Sequence, residues 1–298
     1  MKVFSGLADL PGGTASESLT EGCLVLEGGG FRGVYTQGFL DAMMENDLNL
    51  SAVIGVSAGA LGGANYVSGQ IGRSARINLR YRHDSRYVGL RAFLKSRSIL
   101  DLGFLIEDRG ILEPLDWERF NRPERRFVAV TTDCLSGKTA YFEKGKHRDF
   151  LLAVRASATM PYISPPVIID GRPYFDGGCS TKIPYEWALE EGYGKIVVIR
   201  TREASYRARK RERNRAARVY RRYPAFAETL SREDEEYNRE LDALDALEKE
   251  GRLLVFCPSE PPMAETLEKD MEKLGALYYL GRNDCLRELE RLKSYLGA

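Results

Sequence analysis

The segment Ile54-Gly55-Val56-Ser57-Ala58-Gly59-Ala60-Leu61 places a serine between two glycines, after an apolar run and before small residues. In this context, Gly-x-Ser-x-Gly is typical of a nucleophile elbow, a sharp strand-to-helix turn that exposes a reactive serine. Glycine is expected at Gly55 and Gly59 because a Cβ atom would crowd so tight a turn. The pattern predicts that Ser57 is a nucleophile that forms an acyl-enzyme. The competing interpretation is that Ser57 is an ordinary helix N-cap.

A second unit of strand, glycine loop and helix lies upstream of the elbow. The apolar run Cys23 to Glu27 leads into Gly28-Gly29-Gly30-Phe31-Arg32-Gly33, and Val34 to Asn46 has helical character. Uncovered backbone amides at a helix N-terminus can stabilise a developing oxyanion, so this loop is a candidate oxyanion hole. Its spacing also fits a dinucleotide fingerprint. That alternative is disfavoured because the next strand, 52–56, ends at the serine elbow instead of the required acidic residue.

A serine nucleophile needs a base, and the chain offers few. Its two histidines, His83 and His147, lie in basic stretches that favour exposed side chains. No histidine follows position 147, whereas α/β-hydrolases place theirs late in the chain. Asp176 is the better candidate. It follows the run Val167 to Tyr174, which has the pattern of a small hairpin, and it is the first residue of the motif Asp176-Gly177-Gly178. Taken alone, that motif also fits an ordinary Asp-Gly turn.

The three motifs, in this order, resemble those of the patatin-like phospholipases, a family of lipid acyl hydrolases with a Ser-Asp dyad. Gly28 to Gly33 is similar to the family's oxyanion loop, Gly55 to Gly59 to its elbow, and Asp176 to Gly178 to its Asp-Gly-Gly motif. The run Ala156 to Pro166 is similar to the stretch before the family's aspartate. The resemblance covers roughly residues 20 to 200. The chain departs from the pattern between this motif and Pro184, where members often carry Asn or Asp and this chain has Lys182.

The resemblance implies a mechanism. Ser57 attacks an ester carbonyl, Asp176 accepts the hydroxyl proton, and water then hydrolyses the acyl-enzyme. The oxyanion region implied by the family pattern comprises Gly28, Gly29, Gly30, Arg32, Gly33 and Ala58. Because an ordinary aspartate is a weak base for a hydroxyl group, burial has to raise its basicity. The expected function is a serine lipid acyl hydrolase of the phospholipase A or esterase type. The alternative is a catalytically weak regulatory or lipid-binding protein on the same scaffold.

Composition sets further expectations. The 298 residues carry 44 basic and 43 acidic side chains, which suits one sizeable α/β domain with an appendage. The five cysteines are scattered and form no Cys-x-x-Cys pair, so we expect neither a disulfide framework nor a metal site, and no cofactor is implied. No secretory signal or membrane-length apolar run is seen, which predicts a cytoplasmic protein, with peripheral membrane contact left open.

Charge is unevenly distributed. Residues 200–222 and 73–97 are rich in arginine, whereas Glu228 to Glu250 is strongly acidic. The arginines would suit an anionic membrane surface, but pairing within the chain, between 200–222 and the acidic stretch, is slightly favoured. Nucleic-acid binding is disfavoured because no recognition motif accompanies the arginines. The oligomeric state is not indicated.

The predicted fold class is α/β: a mostly parallel central sheet covered by helices on both faces, a three-layer α/β/α arrangement with a helical C-terminal appendage. Residues 1–200 are predicted to form the catalytic domain and residues 201–298 a charged, mainly helical accessory subdomain packed on it. Gly69 to Asn121 is expected to form helices that cover the site. Leu253 to Cys257 is a candidate edge strand, and a helix is expected to include Met263, Leu267, Met271 and Leu274 on one face.

Overall fold

The computed structural model describes residues 2–88, 113–209 and 214–298. The strands are β1 Thr20–Leu26, β2 Leu50–Val56, β3 Arg126–Asp133, β4 Thr139–Glu143, β5 Val167–Ile169, β6 Arg172–Asp176, β7 Ile196–Ile199 and β8 Leu254–Phe256. The helices in these ranges are α1 Gly33–Glu45, α2 Ala58–Ser68, α3 Arg73–Tyr81, α4 Trp117–Phe120, α5 Phe150–Ser157, α6 Tyr185–Glu190, α7 Asn214–Val219, α8 Pro224–Lys249, α9 Met271–Arg287 and α10 Leu289–Leu296.

All eight strands join one mixed sheet. Its order is β5-β6-β3-β2-β1-β7-β8, and β4 pairs with β3 outside this path. The run from β3 to β8 is parallel, whereas β4, β5 and β6 are paired antiparallel. The predicted fold class is therefore confirmed. The predicted hairpin is also present, since β5 and β6 are joined by Asp170 and Gly171, both at positive φ.

The sheet is buried on both faces because its side chains alternate between two apolar layers. In β1, Leu24 and Leu26 pack in one cluster, whereas Cys23 and Val25 pack in the other. The first cluster includes apolar side chains of α1, α2 and α9, and the second includes those of α6 and α8. Strands that are apolar on both faces are what a helix-covered parallel sheet requires.

Helices α1 and α9 cross at very short range through two glycines. A Cβ atom at Gly38 would overlap the carbonyl oxygen of Tyr278, and one at Gly281 would overlap that of Tyr35. The two tyrosines also bond across the crossing. The Tyr278 hydroxyl donates to Asp41 at 2.8 Å, and the Tyr35 hydroxyl donates to Asp284 at 3.1 Å. The C-terminal helix α9 is thereby packed directly on the first helix.

The candidate strand near residue 254 is confirmed, since β8 extends the sheet beside β7. The helix expected from Met263 to Leu274 is not formed as predicted, because α9 begins only at Met271. Met263 is 74% exposed and Leu267 41% exposed in the irregular segment before it. The physical reason is local: the Asp270 side chain accepts hydrogen bonds from the amides of residues 272 and 273 and caps the helix start.

Two of the sequence expectations reach beyond the described residues. In the region from Gly69 to Asn121, α3 and α4 are helical as expected, and residues 89–112 lie outside the described ranges.

In the arginine-rich stretch, Arg207 pairs with Asp242 and Asp245 of α8, which supports pairing within the chain. Arg200 is only 1% exposed and is buried instead of facing a membrane. Residues 210–213 lie outside the described ranges.

Candidate active site

Strand β3 brings Ser57 and Asp176 together. Its residues from Val128 to Thr132 pair with β4 along one edge, so β2 and β6 must both use the opposite edge. There, Val130 pairs with Val56, the last residue of β2, and the next residue, Thr131, pairs with Asp176. Strand β2 thus runs up to the site and β6 ends at it from the opposite direction. Residues that are 119 positions apart in the sequence become neighbours in the sheet.

Ser57 lies on a sharp turn between β2 and α2. Its backbone has φ 55° and ψ −119°, a left-handed conformation that is uncommon for a residue with a side chain. The Ser57 hydroxyl donates to Oδ2 of Asp176 at 2.6 Å, and the Ser57 amide donates to the Ser157 hydroxyl at 2.9 Å. The side chain does not cap α2. Ser57 is thus the N-cap residue of α2 by position only, and its hydroxyl is directed at a carboxylate instead of capping the helix.

The glycines of the elbow have no room for a side chain. A Cβ atom at Gly55 would lie 2.6 Å from the carbonyl carbon of Gly59. A Cβ atom at Gly59 would overlap the carbonyl oxygen of Leu26. These contacts explain the Gly-x-Ser-x-Gly pattern, since any larger residue would push the turn away from β1 and β2.

Asp176 is buried and held on several sides. Its Oδ1 accepts a hydrogen bond from the Gly178 amide at 2.8 Å, and its carbonyl oxygen accepts one from the Thr132 hydroxyl at 2.9 Å. Burial raises the pKa of Asp176 to about 6, against the lowering effects of the bonds from Ser57 and Gly178 and of the Lys182 charge. At neutral pH this carboxylate is ionised, yet it is a stronger base than an exposed aspartate.

Lys182 links the Asp-Gly-Gly loop to the long helix α8. Its ammonium group donates to the Gly178 carbonyl at 2.8 Å and forms an ion pair with Glu233 of α8. Gly178 therefore bonds Asp176 through its amide and Lys182 through its carbonyl. Coulombic attraction to Glu233 raises the pKa of Lys182 in spite of the opposing effect of burial. The sequence indicated that Lys182 is unusual, but nothing in it pointed to Glu233 as its partner.

The glycine loop packs against the elbow. An ideal Cβ at Gly28 would lie 3.2 Å from the Ser57 Cβ, and one at Gly33 would lie 2.7 Å from the Ala58 Cβ. The loop is also held from the C-terminal region, since the Phe31 amide donates to the Thr266 carbonyl at 2.9 Å. Within the described parts of the chain, the amides of Gly29, Gly30 and Ala58 donate no hydrogen bond. Unused amides beside a serine are what an oxyanion hole requires.

Arg32 is only partly fixed by its neighbours. Its Nη1 donates to the Thr266 hydroxyl at 2.7 Å, whereas its buried Nε has no hydrogen-bond partner among the residues that the structure describes. Burial, followed by the like charge of Arg202, lowers the pKa of Arg32. The sequence singled out Arg32 by its place in the glycine loop. It gave no signal for Thr266, which lies 234 positions away.

Ser57 faces two cavities of different character. One, of about 70 Å³, is lined mainly by apolar side chains, including Val34, Leu61, Ile77, Leu115, Leu151 and Met160. The other, of about 570 Å³, has a more polar lining than the first and also contains the Asp176 side chain in its wall. Gly28, Gly29, Gly30, Arg32 and Gly178 line this second cavity too. The site can therefore receive a molecule that has an apolar part and a polar part.

The histidines lie away from the dyad. His83 is exposed and its Nε2 contacts the Lys269 carbonyl at 2.8 Å, while His147 packs edge-on against the Phe142 ring. Neither residue lines the two cavities at Ser57.

In the ranges that the structure covers, no group of three or more His, Cys, Asp or Glu side chains is arranged to hold a metal ion. None of the described helices has both the length and the apolarity of a membrane span.

Family models match two parts of the sequence. Residues 24–189, more than half of the chain, match the model described as patatin-like phospholipase. All three motifs of the site fall inside this range. Residues 223–297 match a domain of unknown function, DUF6363. This second match begins one residue before α8 and ends after α10.

Curated relatives match between 52% and 60% of this chain. The chain is 31% identical to the uncharacterized protein YjjU of Escherichia coli over 60% of this chain and 51% of that protein. It is 30% identical to the uncharacterized NTE family protein Rv1063c of Mycobacterium tuberculosis over 54% of this chain and 43% of that protein. Lysophospholipase nte1 of Aspergillus terreus is 28% identical over 52% of this chain and 10% of its own length. The chain thus spans about half, or less, of the curated relatives it matches.

A solved structure has the same fold. VipD from Legionella pneumophila matches with a TM-score of 0.50 at 15% identity, over 95% of this chain and 68% of that chain. At this level of identity the match concerns the fold alone. Because it extends over nearly the whole chain, the match includes parts of the sheet and helices beyond the first family region.

Proposed function

Because the chain belongs to the patatin-like phospholipase family, we propose that it is a serine hydrolase of lipid carboxylic esters, with Ser57 and Asp176 as its catalytic dyad. The observation that carries this proposal is the 2.6 Å hydrogen bond between the Ser57 hydroxyl and the Asp176 carboxylate, buried beneath a cavity. The lysophospholipase among the relatives supports a lipid substrate.

In the proposed reaction, the Ser57 Oγ attacks the ester carbonyl while its proton passes to Oδ2 of Asp176. The amides of Gly29, Gly30 and Ala58 stabilise the oxyanion, and each such donor typically contributes about a hundredfold or more in rate. Protonated Asp176 then gives its proton to the departing alcohol. A water molecule attacks the acyl-enzyme and Asp176 accepts its proton. Asp176 then returns this proton to the Ser57 Oγ as the bond from Oγ to the acyl carbon breaks and the fatty acid leaves, which restores both members of the dyad.

The two cavities suggest how such a substrate lies. We place the acyl chain in the apolar pocket, where Leu61 and Ile77 exclude water from it, and the alcohol portion in the polar cavity. Burying each CH₂ group contributes about 0.8 kcal/mol, so chain length should affect binding strongly.

Fluorophosphonate labelling with mass spectrometry of the modified peptide tests the dyad. Wild-type protein should be labelled at Ser57 and should hydrolyse short acyl esters, whereas Ser57→Ala and Asp176→Ala should each lose hydrolysis. The double variant His83→Ala and His147→Ala is the control and should retain near wild-type activity, because both side chains lie outside the cavities. Loss of activity with His147→Ala alone would overturn the dyad. Absence of labelling, even with detergent or liposomes, would favour a lipid-binding protein.

A further inference from the structure

Thr201 lies directly beside the glycine loop, although it belongs to none of the three motifs. Strands β1 and β7 pair in parallel, with Leu26 opposite Ile199, so the residues that follow the two strands are also neighbours. Thr201 is completely buried there. It falls between the two regions that match family models, 24–189 and 223–297. What Thr201 does must therefore be deduced from its contacts.

The Thr201 hydroxyl contacts the first peptide of the glycine loop. It donates to the Gly28 carbonyl at 2.9 Å and lies 3.1 Å from Oε2 of Glu27. The Thr201 amide also donates to Oε2 of Glu27, and the Tyr237 hydroxyl of α8 donates to Oε1. Both oxygens of this buried carboxylate are thus bonded, and the carboxylate holds Thr201 in place beside the Gly28 carbonyl.

The peptide between Gly28 and Gly29 needs such a partner. It has a glycine on each side, and glycine restricts backbone rotation less than any other residue. Thr201 packs so closely that a Cβ atom at Gly29 would lie 2.6 Å from its Oγ1 and 3.0 Å from its Cβ. A side chain at Gly29 is therefore excluded, and the orientation of this freely rotating peptide depends on the bond from the Thr201 hydroxyl.

The same bond determines where the Gly29 amide points. The described chain has no cis peptide bond, and in a trans peptide the carbonyl and the N–H point to opposite sides. The Gly28 carbonyl faces Thr201, whereas Gly28 and Gly29 line the polar cavity together with Ser57. The Gly29 N–H therefore points away from Thr201, towards the cavity. Among the residues that the structure covers it has no acceptor, so it is available to an oxyanion.

We infer that Thr201 is a positioning residue for the oxyanion hole: its hydroxyl fixes the Gly28–Gly29 peptide so that the Gly29 amide meets the oxyanion formed at Ser57. The inference rests on the proposed function and extends it to a residue outside both matched regions. An oxyanion donor acts mainly in the transition state, where the ester oxygen becomes charged. Loss of the Thr201 hydroxyl should therefore lower kcat and leave KM nearly unchanged.

Thr201→Val tests the hydroxyl, because valine has nearly the same shape but cannot donate a hydrogen bond. With a short, soluble acyl ester, kcat should fall about tenfold to a hundredfold and KM should stay within about twofold. Thr201→Ser keeps the hydroxyl and should retain most of the wild-type kcat. Thr36→Val is the matched control, since Thr36 is also buried but its hydroxyl has no partner in the described parts of the chain. Its kcat should equal that of the wild type.

A transition-state analogue separates positioning from a general loss of structure. The Ser57 Oγ adds to the carbonyl carbon of an alkyl trifluoromethyl ketone, the carbonyl electron pair moves to the oxygen, and the Ser57 proton passes to Asp176. The resulting oxyanion needs the Gly29 amide. The inhibition constant of the ketone should therefore rise in Thr201→Val by about the factor by which kcat/KM falls. The corresponding trifluoromethyl alcohol cannot form this adduct and should bind the wild type and the variant equally.

Thr201→Ser and Thr201→Ala form a second pair, which differs only in the hydroxyl and decides the question if valine prevents folding. A lower kcat for the alanine variant than for the serine variant supports the inference. Equal kcat values in this pair, or equally weakened binding of ketone and alcohol by Thr201→Val, would overturn it. If the wild type hydrolyses no ester and Ser57 is not labelled, the proposed function itself fails. If the wild type is active and the hydroxyl has no effect, only the role of Thr201 fails.

Discussion

The backbone of Ser57 carries strain that the surrounding residues hold in place. A non-glycine residue at φ 55° and ψ −119° costs on the order of 1–3 kcal/mol, and such costs persist only where neighbours determine the conformation. Here the Ser57 amide is bonded to Ser157, and Gly59 packs against the carbonyl of Leu26. The strained turn directs the hydroxyl towards Asp176 before any substrate binds.

Two glycines of α2 provide a direct test of this packing. Gly59→Ala should destabilise the protein by about 1–3 kcal/mol, because the added Cβ overlaps the Leu26 backbone. Gly62→Ala is the control, since its Cβ would lie 3.7 Å from Leu40, an ordinary contact. That substitution should be neutral or stabilise by up to about 1 kcal/mol, because alanine favours a helix. Urea unfolding of both variants measures the difference, and equal stabilities would contradict the packing argument.

The raised pKa of Asp176 sets the pH dependence of the proposed reaction. Asp176 must be ionised to accept the Ser57 proton, and its pKa is about 6. The value of kcat/KM should therefore be constant well above pH 6 and fall about tenfold per unit below it. The measurement is kcat/KM from initial rates between about pH 4.5 and 8. Circular dichroism at each pH confirms that the protein remains folded. A profile that stays flat below about pH 5 would argue against Asp176 as the base.

Single residues of the site differ in how far the sequence predicts them. Ser57 and Asp176 were predicted because each lies in a short motif whose glycines are forced by local geometry. Thr266 had no such signal, and Ser157 was covered only by the resemblance of the run Ala156 to Pro166, which gave it no role. Their roles depend on hydrogen bonds to residues 100 and more positions away, and a serine or threonine without a motif looks like any other.

At the level of elements, helix α8 acts on the site through Glu233. Its carboxylate pairs with Lys182, whose ammonium group lies near Asp176. The positive charge of Lys182 lowers the pKa of Asp176, whereas the negative charge of Glu233 raises it. A helix outside the family's matched region thereby influences the basicity of the proposed catalytic carboxylate.

Charge-removing substitutions should shift the acid limb of kcat/KM in opposite directions. Lys182→Gln should raise the pKa of Asp176 and move the limb to higher pH, and Glu233→Gln should move it to lower pH. Glu228→Gln is the control on the same helix, since this side chain is 70% exposed, and it should leave the limb in place. Thermal unfolding of each variant separates lost stability from an altered pH profile. Shifts in the same direction for the Lys182 and Glu233 variants would refute the coupling.

The elements themselves were predicted unevenly, for a physical reason. The parallel strands and the β5–β6 hairpin follow from apolar runs and an Asp-Gly turn, which are local signals. The prediction of where α9 begins was wrong. The spacing of Met263 and Leu267 suggested that both belong to one helical face, but neither residue is buried. Apolar residues at helical spacing indicate a helix only where the rest of the protein offers a surface against which their shared face can be buried.

In the whole molecule, residues from 201 onward complete the sheet and the core. Strand β8 covers the edge of β7, and α9 supplies Tyr278 and Asp284 as partners for buried groups of α1. The division into a catalytic domain of residues 1–200 and an accessory subdomain of residues 201–298 stays a prediction. These contacts lead us to expect that the first part does not fold by itself.

A chain of residues 1–200 tests this expectation. It should lack a cooperative thermal transition and should not be labelled at Ser57 by a fluorophosphonate, because Asp41 would lose its bond from Tyr278 and β7 would be an open edge. The full chain under the same conditions is the reference. If residues 1–200 unfold cooperatively and are labelled, the predicted division describes two units that fold independently.

The bond between Phe31 and Thr266 has a consequence for the newly made protein. The glycine loop is synthesised early, but the carbonyl that fixes it comes more than 230 residues later. Contacts of such long sequence separation form late and slow the folding of the whole chain. A ribosome would therefore have translated past Thr266 before the loop beside Ser57 could settle, so the nascent polypeptide would pass most of its synthesis without an ordered glycine loop.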